Sequence, residues 1–254
     1  MKKPIIVANW KLNGNKNFVQ EFIKYCNLHL NKNFKKSTII ISPPIIYIKY
    51  IKKFLKNKKI YFSSQNVDYH DQGAFTGEIS ANMLSEIGVK YSILGHSERR
   101  KNHFESNKII AKKFYSLKKN NLVPILCIGE TNKEKKLNLT EKILKKQVDS
   151  IFLKCGKLAF HKTIVAYEPI WAIGSGKSAS PYLINKILKM IKKYIIKNSS
   201  NNIKVYMQYG GSVSYKNFEE IIRLKYVDGV LIGSDSLNFK NFCKIINISD
   251  FINK

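Results

Sequence analysis

Short apolar runs alternate with longer segments of helical periodicity along the whole sequence. The eight runs are Ile5–Ala8, Thr38–Ile41, Ile60–Ser63, Tyr91–Leu94, Val123–Ile128, Thr163–Tyr167, Ile203–Gln208 and Gly229–Ile232. Continuous apolar runs are typical of strands that are covered on both faces, and alternation with helices favours a parallel sheet. Eight such units in 254 residues predict an α/β fold: a parallel eight-stranded (β/α)₈ barrel ringed by helices, occupying residues 1–254 as a single domain. An open doubly wound sheet is the alternative.

The net charge of +28 raises the possibility of a nucleic-acid partner. Of the 45 basic residues, three are arginines (Arg99, Arg100 and Arg223), and lysine, asparagine and isoleucine are all abundant. The lysines are scattered over helix faces and do not interleave with aromatic residues along one stripe, as a stacking platform requires. The charge therefore favours solvated helix surfaces, and we expect no nucleic-acid partner.

Four cysteines, Cys26, Cys127, Cys155 and Cys243, show neither C-x-x-C spacing nor nearby metal-ligand residues. Such cysteines are typical of free thiols in a reducing compartment. The apolar run near the N-terminus stops at Asn9, which makes it too short for a signal peptide or a membrane span. We therefore expect a cytoplasmic protein without a membrane partner.

Polar and glycine residues follow five of the eight runs. They are Asn9 and Lys11 after the first, His96 and Glu98 after the fourth, Glu168 after the sixth, Tyr209-Gly210-Gly211-Ser212 after the seventh, and Gly233-Ser234 after the eighth. Each has an ordinary structural explanation, such as a turn, a surface lysine or a core histidine. The carboxyl ends of the strands of a barrel lie on one face, however, and active sites form there. Their joint placement therefore favours a functional site.

The stretch from Thr163 to Lys177 reads as a strand, a carboxylate and a lid. Because proline disfavours helical angles for the residue before it, we expect Glu168 to be the last residue of the strand. The predicted lid consists of Pro169, Ile170, Trp171, Ala172, Ile173, Gly174, Ser175, Gly176 and Lys177. Its glycines supply the backbone freedom that a hinge needs, and its large apolar residues can fold over the carboxylate.

A phosphate loop of the G-x-x-x-x-G-K-[ST] type is an alternative for the same stretch, because Gly176-Lys177-Ser178 matches its end. Trp171 stands where the first glycine of that motif is required. In that motif a helix begins at the Lys-Ser pair, whereas here Ser180 and Pro181 are typical of an N-cap and a first helical residue. The sequence therefore favours a lid over a mononucleotide site.

Together these residues are suited to moving a proton beside the carbonyl group of a small phosphorylated substrate. Glu168 would abstract the proton, and His96 would hydrogen-bond the carbonyl oxygen as its charge develops. Lys11 would stabilise the enediolate and the phosphate. Backbone N–H groups in the glycine loops would hold the phosphate without arginine.

Five motifs resemble those of the triosephosphate isomerase family. They are Asn9-Trp10-Lys11-Leu12-Asn13-Gly14, Gly73-Ala74-Phe75-Thr76-Gly77-Glu78, Leu94-Gly95-His96-Ser97-Glu98-Arg99-Arg100, Glu168-Pro169-Ile170-Trp171-Ala172-Ile173-Gly174 and Tyr209-Gly210-Gly211-Ser212. The resemblance runs in the same order from about residue 4 to residue 248. It implies interconversion of dihydroxyacetone phosphate and D-glyceraldehyde 3-phosphate through an enediolate, without a cofactor or metal.

The resemblance also implies a role for each matching residue. Glu168 matches the base, His96 the electrophile and Lys11 the electrostatic residue. The remaining matches are Asn9 and Glu98 as supporting residues, the backbone amides of Gly174, Ser212, Gly233 and Ser234 as phosphate contacts, Ile173 and Leu231 as an apolar clamp, and Tyr209 as a lid latch near Ala179. The segment from Gln65 to Ile79, with Thr76 near a second subunit's site, implies a homodimer.

One departure from the family pattern bears on phosphate binding. The family usually reads Gly-Gly-Ala-Ser after its eighth strand, whereas this chain reads Gly233-Ser234-Asp235-Ser236. A side chain at position 234 would weaken phosphate binding if its backbone needed an unusual φ. The carboxylate of Asp235 would repel a phosphate, so we expect it to point away.

Two other functions compete with this interpretation. A Schiff-base aldolase on the same barrel would need a desolvated lysine within a strand, and none of the eight runs carries one near its centre. A basic nucleic-acid-binding protein would rest on net charge alone.

Overall fold

The computed structural model describes residues 3–30, 36–174, 176, 178–200 and 202–252. Its strands are β1 (Ile5–Asn9), β2 (Thr38–Ser42), β3 (Ile60–Ser64), β4 (Tyr91–Leu94), β5 (Val123–Ile128), β6 (Thr163–Tyr167), β7 (Val205–Tyr209) and β8 (Gly229–Ile232). Its α-helices are α1 (Lys16–His29), α2 (Ile45–Phe54), α3 (Ala81–Glu86), α4 (Ser97–Asn102), α5 (Asn107–Lys119), α6 (Asn132–Lys136), α7 (Thr140–Cys155), α8 (Pro181–Asn198), α9 (Phe218–Ile222) and α10 (Phe239–Phe251). Two 3₁₀ turns cover Ile170–Ala172 and Ser234–Ser236.

The strands form a closed barrel in chain order, and every neighbouring pair is parallel. The predicted (β/α)₈ barrel is therefore confirmed, and the open doubly wound sheet is wrong. Closure comes from the pairing of β1 with β8, in which Ile5 lies opposite Gly229. Because all strands are parallel, their carboxyl ends open on one face of the barrel.

Several strand ends differ from those predicted. Strand β7 begins at Val205 and ends at Tyr209, because its register pairs Val205 with Thr163 and Tyr209 with Tyr167 on β6. Strand β6 ends at Tyr167, so Glu168 follows the strand and is not its last residue. The N–H of Glu168 still donates to the Ile128 carbonyl at 2.8 Å. The ladder cannot continue beyond it, because Pro169 has no N–H.

The side chains of the strands alternate between two apolar layers. Inward-facing residues, including Ile5, Val7, Ile40, Ile125 and Ile164, fill the barrel interior. The residues between them point outward and form a second core with the buried faces of the surrounding helices. Branched aliphatic side chains usually fill the interior of such a barrel, and their packing makes the carboxyl ends of the strands rigid.

N-cap residues set where the helices after two of the strands begin. Ser180 caps α8, its side chain accepting a hydrogen bond from the Leu183 N–H at 3.3 Å, and Pro181 is the first helical residue. Both were predicted, and both are confirmed. On the other side of the barrel, His96 is itself the N-cap of α4, directly beyond β4. Its ring is therefore held where a strand turns into a helix.

None of the helices in the described part of the chain combines the length and the apolar character that a membrane crossing requires. Within the same residues the four cysteines are free thiols.

Candidate active site

A cavity of about 280 Å³ opens at the carboxyl ends of the strands. Most of the residues predicted from the sequence to form a site contribute to its lining. They are Asn9, Lys11, His96, Glu168, Ile173, Gly174, Gly176, Ser212, Leu231, Gly233 and Ser234. They come from the segments that follow β1, β4, β6, β7 and β8 and, for Asn9 and Leu231, from β1 and β8 themselves. Barrel closure therefore gathers residues separated by more than 200 positions.

The Glu168 carboxylate is the most deeply buried acid of this cavity, with 2 % of the residue exposed. Burial raises the pKa of Glu168, whereas His96, Cys127 and Lys11 act in the opposite direction. Its Oε2 atom is buried and has no hydrogen-bond partner among the described residues. A buried carboxylate with an unsatisfied oxygen is poorly solvated, and it is therefore a stronger base than one in water.

Two glycines leave the space that Glu168 occupies. A Cβ atom on Gly210 would lie 2.7 Å from the Glu168 Cγ, and one on Gly129 would lie 1.9 Å from the Glu168 carbonyl oxygen. Neither distance is compatible with a side chain at those positions. Gly129 and Gly210 are therefore required to be glycine, because their backbones lie too close to Glu168 to carry a side chain.

The His96 ring lies between Glu168 and the start of α4. Its Nε2 atom is 3.4 Å from the Glu168 Oε1, and its Nδ1 accepts a hydrogen bond from the Glu98 N–H at 3.3 Å. An Nδ1 that accepts from a backbone amide carries a lone pair, so this geometry assigns the proton to Nε2 in the neutral ring. The donor of His96 therefore faces the Glu168 carboxylate and the cavity.

Lys11 is held in a strained backbone conformation beside the cavity, with a φ of 53°. The Asn9 side chain accepts a hydrogen bond from the Lys11 N–H at 3.0 Å, and the Gln65 side chain donates to the Lys11 carbonyl at 2.8 Å. The ammonium pairs with Glu98 at 2.5 Å. Non-glycine residues with positive φ persist where their surroundings fix them, often in functional sites. Sequence reasoning placed Gln65 in an intersubunit loop and missed this contact.

The lid segment begins with the 3₁₀ turn Ile170–Ala172. Gly174 and Gly176 have φ angles of 69° and 71°, as expected for glycines that shape a hinge. The predicted lid residues Ser175 and Lys177 lie outside the described residues. Ile173 lines the cavity, whereas Trp171 turns away from it and donates from its indole N–H to Glu130 at 2.8 Å. That Ile173 folds over Glu168 stays a prediction, whereas the Trp171 indole contacts Glu130 instead.

Two contacts tie the lid to the β7 end of the barrel. The buried Tyr209 hydroxyl accepts a hydrogen bond from the Ala179 N–H at 2.8 Å, and the Ser212 hydroxyl donates to the Ala172 carbonyl at 2.6 Å. The Ala172 carbonyl within the lid and the Ala179 N–H just beyond it are therefore each bonded to a residue at or just beyond β7. The contact between Tyr209 and Ala179 agrees with the position expected of a latch.

Glu130 is a site-adjacent residue that sequence reasoning did not find. It follows β5, with 1 % of the residue exposed, and its Oε1 accepts hydrogen bonds from both Trp171 and the Tyr167 hydroxyl. The signal in the sequence was its position just beyond an apolar run, the criterion that selected Glu168. Glu130 thus holds the Trp171 side chain in place through this hydrogen bond.

Backbone amides line the end of the cavity that is formed by the segments after β7 and β8. Among the described residues, the N–H groups of Ser212, Gly233 and Ser234 donate to no protein acceptor. Ser234 is not one of the non-glycine residues with positive φ, so its side chain introduces no backbone strain. A concave set of unpaired N–H groups is suited to an anion.

The segment from Gln65 to Ile79 folds as a compact loop outside the cavity. Its base is closed by a hydrogen bond from the Asp68 N–H to the Ile79 carbonyl at 2.9 Å, and His70 stacks on Phe75 with the ring centroids 3.6 Å apart. Thr76 at its tip is exposed. The structure does not bring Thr76 into this chain's own cavity.

Within the described ranges, no cluster of three or more His, Cys, Asp or Glu side chains is arranged to hold a metal ion.

The raised pKa of Glu168 makes a prediction about stability. For an acid whose pKa is raised by folding, the native state binds more protons than the unfolded state between the unfolded and folded pKa values. Stability therefore falls as pH rises through that window. Glu168→Gln removes the buried charge, so we expect its melting temperature to exceed that of the wild type by about 2–4 °C at pH 8. The difference should shrink as the pH is lowered and the wild-type carboxyl takes up a proton.

Differential scanning calorimetry of both proteins at several pH values would test this. Glu141→Gln, which changes an exposed glutamate of α7, is the matched control and should show no such gain. A Glu168→Gln protein that is less stable than the wild type at pH 8 would contradict the assigned cost of burying this charge.

Comparison with known proteins agrees with the geometry. The family model described as triosephosphate isomerase matches residues 4–249. A triosephosphate isomerase of Buchnera aphidicola subsp. Cinara cedri (strain Cc) is 52% identical over 253 residues, which cover 98% of this chain and 100% of the relative. The triosephosphate isomerases of Buchnera aphidicola subsp. Schizaphis graminum (strain Sg) and Blochmanniella floridana are 50% and 48% identical, covering 98% of this chain and 99% and 97% of the relatives. The chain belongs to the triosephosphate isomerase family.

Proposed function

We propose that this protein is an isomerase that interconverts dihydroxyacetone phosphate and D-glyceraldehyde 3-phosphate, a step of glycolysis and gluconeogenesis. The observation that carries the proposal is the pairing, in one cavity, of a buried carboxylate with an imidazole whose Nε2 lies 3.4 Å away. This pair can exchange a proton with carbon while stabilising the neighbouring oxygen. Family membership supports the same reaction.

Glu168 acts as the base in the proposed mechanism. It removes a proton from C1 of dihydroxyacetone phosphate, and the electron pair of the broken C–H bond forms the C1–C2 double bond of an enediolate. The C2 carbonyl electron pair moves to the C2 oxygen in this step. The proton is then returned to C2, and the C1 hydroxyl proton passes to the C2 oxygen by way of His96, so that C1 becomes the aldehyde and C2 carries a hydroxyl. Desolvation strengthens the base, which offsets part of the high cost of ionising a carbon acid.

His96 donates its Nε2 proton to the substrate oxygen on which negative charge develops. Lys11 adds a positive charge at the same edge of the cavity, and Asn9 and Glu98 orient Lys11 through its backbone N–H and its ammonium. A preorganised donor and cation cost little reorganisation during the reaction, which is why such groups lower the barrier effectively.

The phosphate of the substrate is held by backbone amides. Ser212, Gly233 and Ser234 offer their unpaired N–H groups, and Gly174 adds that of the lid when it closes. Ile173 and Leu231 enclose the base from both sides and exclude water. A dry site keeps Glu168 a strong base and protects the enediolate from side reactions.

An aldolase of the Schiff-base type is less well supported. It would require a lysine that is desolvated inside the barrel, and the described strands contain no lysine. The proton-transfer mechanism needs none.

The proposed reaction is tested by measuring the isomerisation of glyceraldehyde 3-phosphate by wild type and Glu168→Gln, with kcat and KM recorded for each. The amide keeps the shape of the side chain and removes the base, so we expect kcat to fall by about 10²–10⁴-fold or more while KM changes little. Circular dichroism and melting curves would establish that the variant is folded.

A wild-type protein that is folded and shows no turnover would overturn the proposed activity. Near-normal turnover by Glu168→Gln would instead leave the activity in place and overturn the role of Glu168 as its base.

We further propose that the protein is a homodimer. Large apolar side chains are exposed on the segments that follow β1 to β4: Leu12 is 97% exposed, Ile46 74%, Phe75 42% and Phe104 84%. Consecutive strands of a closed barrel place these segments next to one another, which favours a shared apolar region. Apolar regions of this kind mark interfaces between proteins. The loop that carries Thr76 would then reach the site of the partner.

Sedimentation velocity at micromolar concentration would test the dimer. We expect the wild type to sediment with twice the monomer mass, and Thr76→Arg, which places a bulky charge at the loop tip, to shift the protein towards monomer and to lower kcat. Lys186→Arg, on an exposed face of α8, serves as a control. A fully active wild-type monomer would contradict both the dimer and the role of Thr76.

A cytoplasmic location is also proposed. Four free cysteines in the described chain support it, because thiols persist in reducing compartments. We propose no nucleic-acid partner, since the lysines lie on scattered surfaces.

A further inference from the structure

Asp235 lies in the 3₁₀ turn Ser234–Ser236 beyond β8, and it lines the candidate active site. A carboxylate at this point repels a bound phosphate, because like charges a few ångströms apart interact unfavourably. The direction of its side chain shows what it does instead. Its Oδ2 accepts a hydrogen bond from the Tyr215 N–H at 2.8 Å, and its Oδ1 lies 3.4 Å from the Asn241 Nδ2.

The bond to Tyr215 joins two loops that present amides to the cavity. Tyr215 belongs to the loop after β7, which carries the Ser212 N–H, whereas Asp235 directly follows Ser234. Among the described residues, no other hydrogen bond connects the segments 210–217 and 233–238. Within the described residues, the Asp235 carboxylate is therefore the hydrogen-bonding link between the two loops whose N–H groups line this end of the cavity.

The rest of the β7 loop is braced internally. Asn217 accepts a hydrogen bond from the Ser214 N–H at 2.8 Å and donates to the Ser212 carbonyl at 3.0 Å. The loop from Ser212 to Asn217 is thus held together by its own hydrogen bonds, and contacts at its edge help to set its position relative to β8. The bond between Tyr215 and Asp235 supplies such a contact, and the Asn241 side chain at the start of α10 fixes the carboxylate from the other side.

We infer that Asp235 is a positioning residue: its carboxylate sets the spacing between the Ser212 and Ser234 amides and thereby raises affinity for the phosphate group of the substrate. This inference rests on the proposed function for the identity of the substrate. Two opposing effects are combined in this residue. The oxygen acceptor organises the site, and the negative charge weakens anion binding.

Substitutions separate the two effects. Asp235→Ala removes the acceptor and the charge, so we expect KM for glyceraldehyde 3-phosphate to rise roughly fivefold or more while kcat changes less than about twofold. Asp235→Asn keeps an oxygen that can accept from Tyr215 and removes the charge. Its KM should therefore equal that of the wild type within about twofold or be lower.

Isothermal titration of each protein with inorganic phosphate measures the same affinity without turnover. We expect the dissociation constant to rise for Asp235→Ala and to be preserved or lowered for Asp235→Asn. The control is Asp149→Ala on α7, which removes a carboxylate that accepts a hydrogen bond from Tyr194 at 2.6 Å outside the cavity. It should lower the melting temperature without changing either KM or phosphate affinity.

An Asp235→Ala protein that binds phosphate as tightly as the wild type, or more tightly, would overturn the inference, since the carboxylate would then be a repulsive neighbour only. An Asp235→Asn protein as impaired as Asp235→Ala would overturn it as well, because the acceptor would not be the cause. Failure of the proposed function is recognised separately: the wild type would lack turnover, while the phosphate titrations would still judge Asp235.

Discussion

The rest of this structure depends on the burial of one carboxylate, that of Glu168, at the carboxyl end of the barrel. Placing this group out of water is unfavourable, and the unpartnered Oε2 atom leaves part of that cost uncompensated. The surroundings are arranged so that the side chain cannot escape. Pro169 prevents the backbone hydrogen bonds from continuing after Glu168, and the backbones of Gly129 and Gly210 pack against Glu168 where a side chain would collide. Burial of Glu168 therefore lowers the stability of the fold and makes the carboxylate a stronger base.

The barrel provides the rigidity that such a site requires. Layers of isoleucine and valine fill its interior, and the pairing of β1 with β8 brings Lys11 close to Gly233. The reactive groups are mounted where strands end, on backbone that continues the ladder or begins a helix. The lid alone departs from this pattern. Gly174 and Gly176 adopt left-handed angles, and the Ala172 carbonyl is hydrogen-bonded to the Ser212 hydroxyl, an arrangement that suits a segment that must open and close.

Sequence reasoning predicted the parallel barrel, the rim that carries Lys11, His96 and Glu168, and the start of α8 at Ser180. Each rests on a local signal: an apolar run, a residue just beyond it, or a cap followed by proline. The bounds of β7 were wrong because they are set by pairing with β6, which local composition does not encode. Glu130 and Gln65 were missed for a related reason. Each acts on a residue 41 or 54 positions away, and such contacts exist only once the strands that carry them pair. The direction of the Asp235 carboxylate likewise depends on Tyr215, 20 positions away on another loop.

The central claim is that Glu168 removes a hydrogen from carbon as a proton. The most direct measurement is the conversion of dihydroxyacetone phosphate in deuterium oxide, with the glyceraldehyde 3-phosphate trapped by oxidation as it forms and its C2 hydrogen examined by mass spectrometry and proton NMR. We expect deuterium at C2 in part of the wild-type product, because a proton held on a carboxylate exchanges with solvent in some turnovers before it is returned, even though the enclosed site limits the access of water. A product that retains only the hydrogen of the substrate at C2 would indicate direct hydride transfer between the two carbons and would contradict the account.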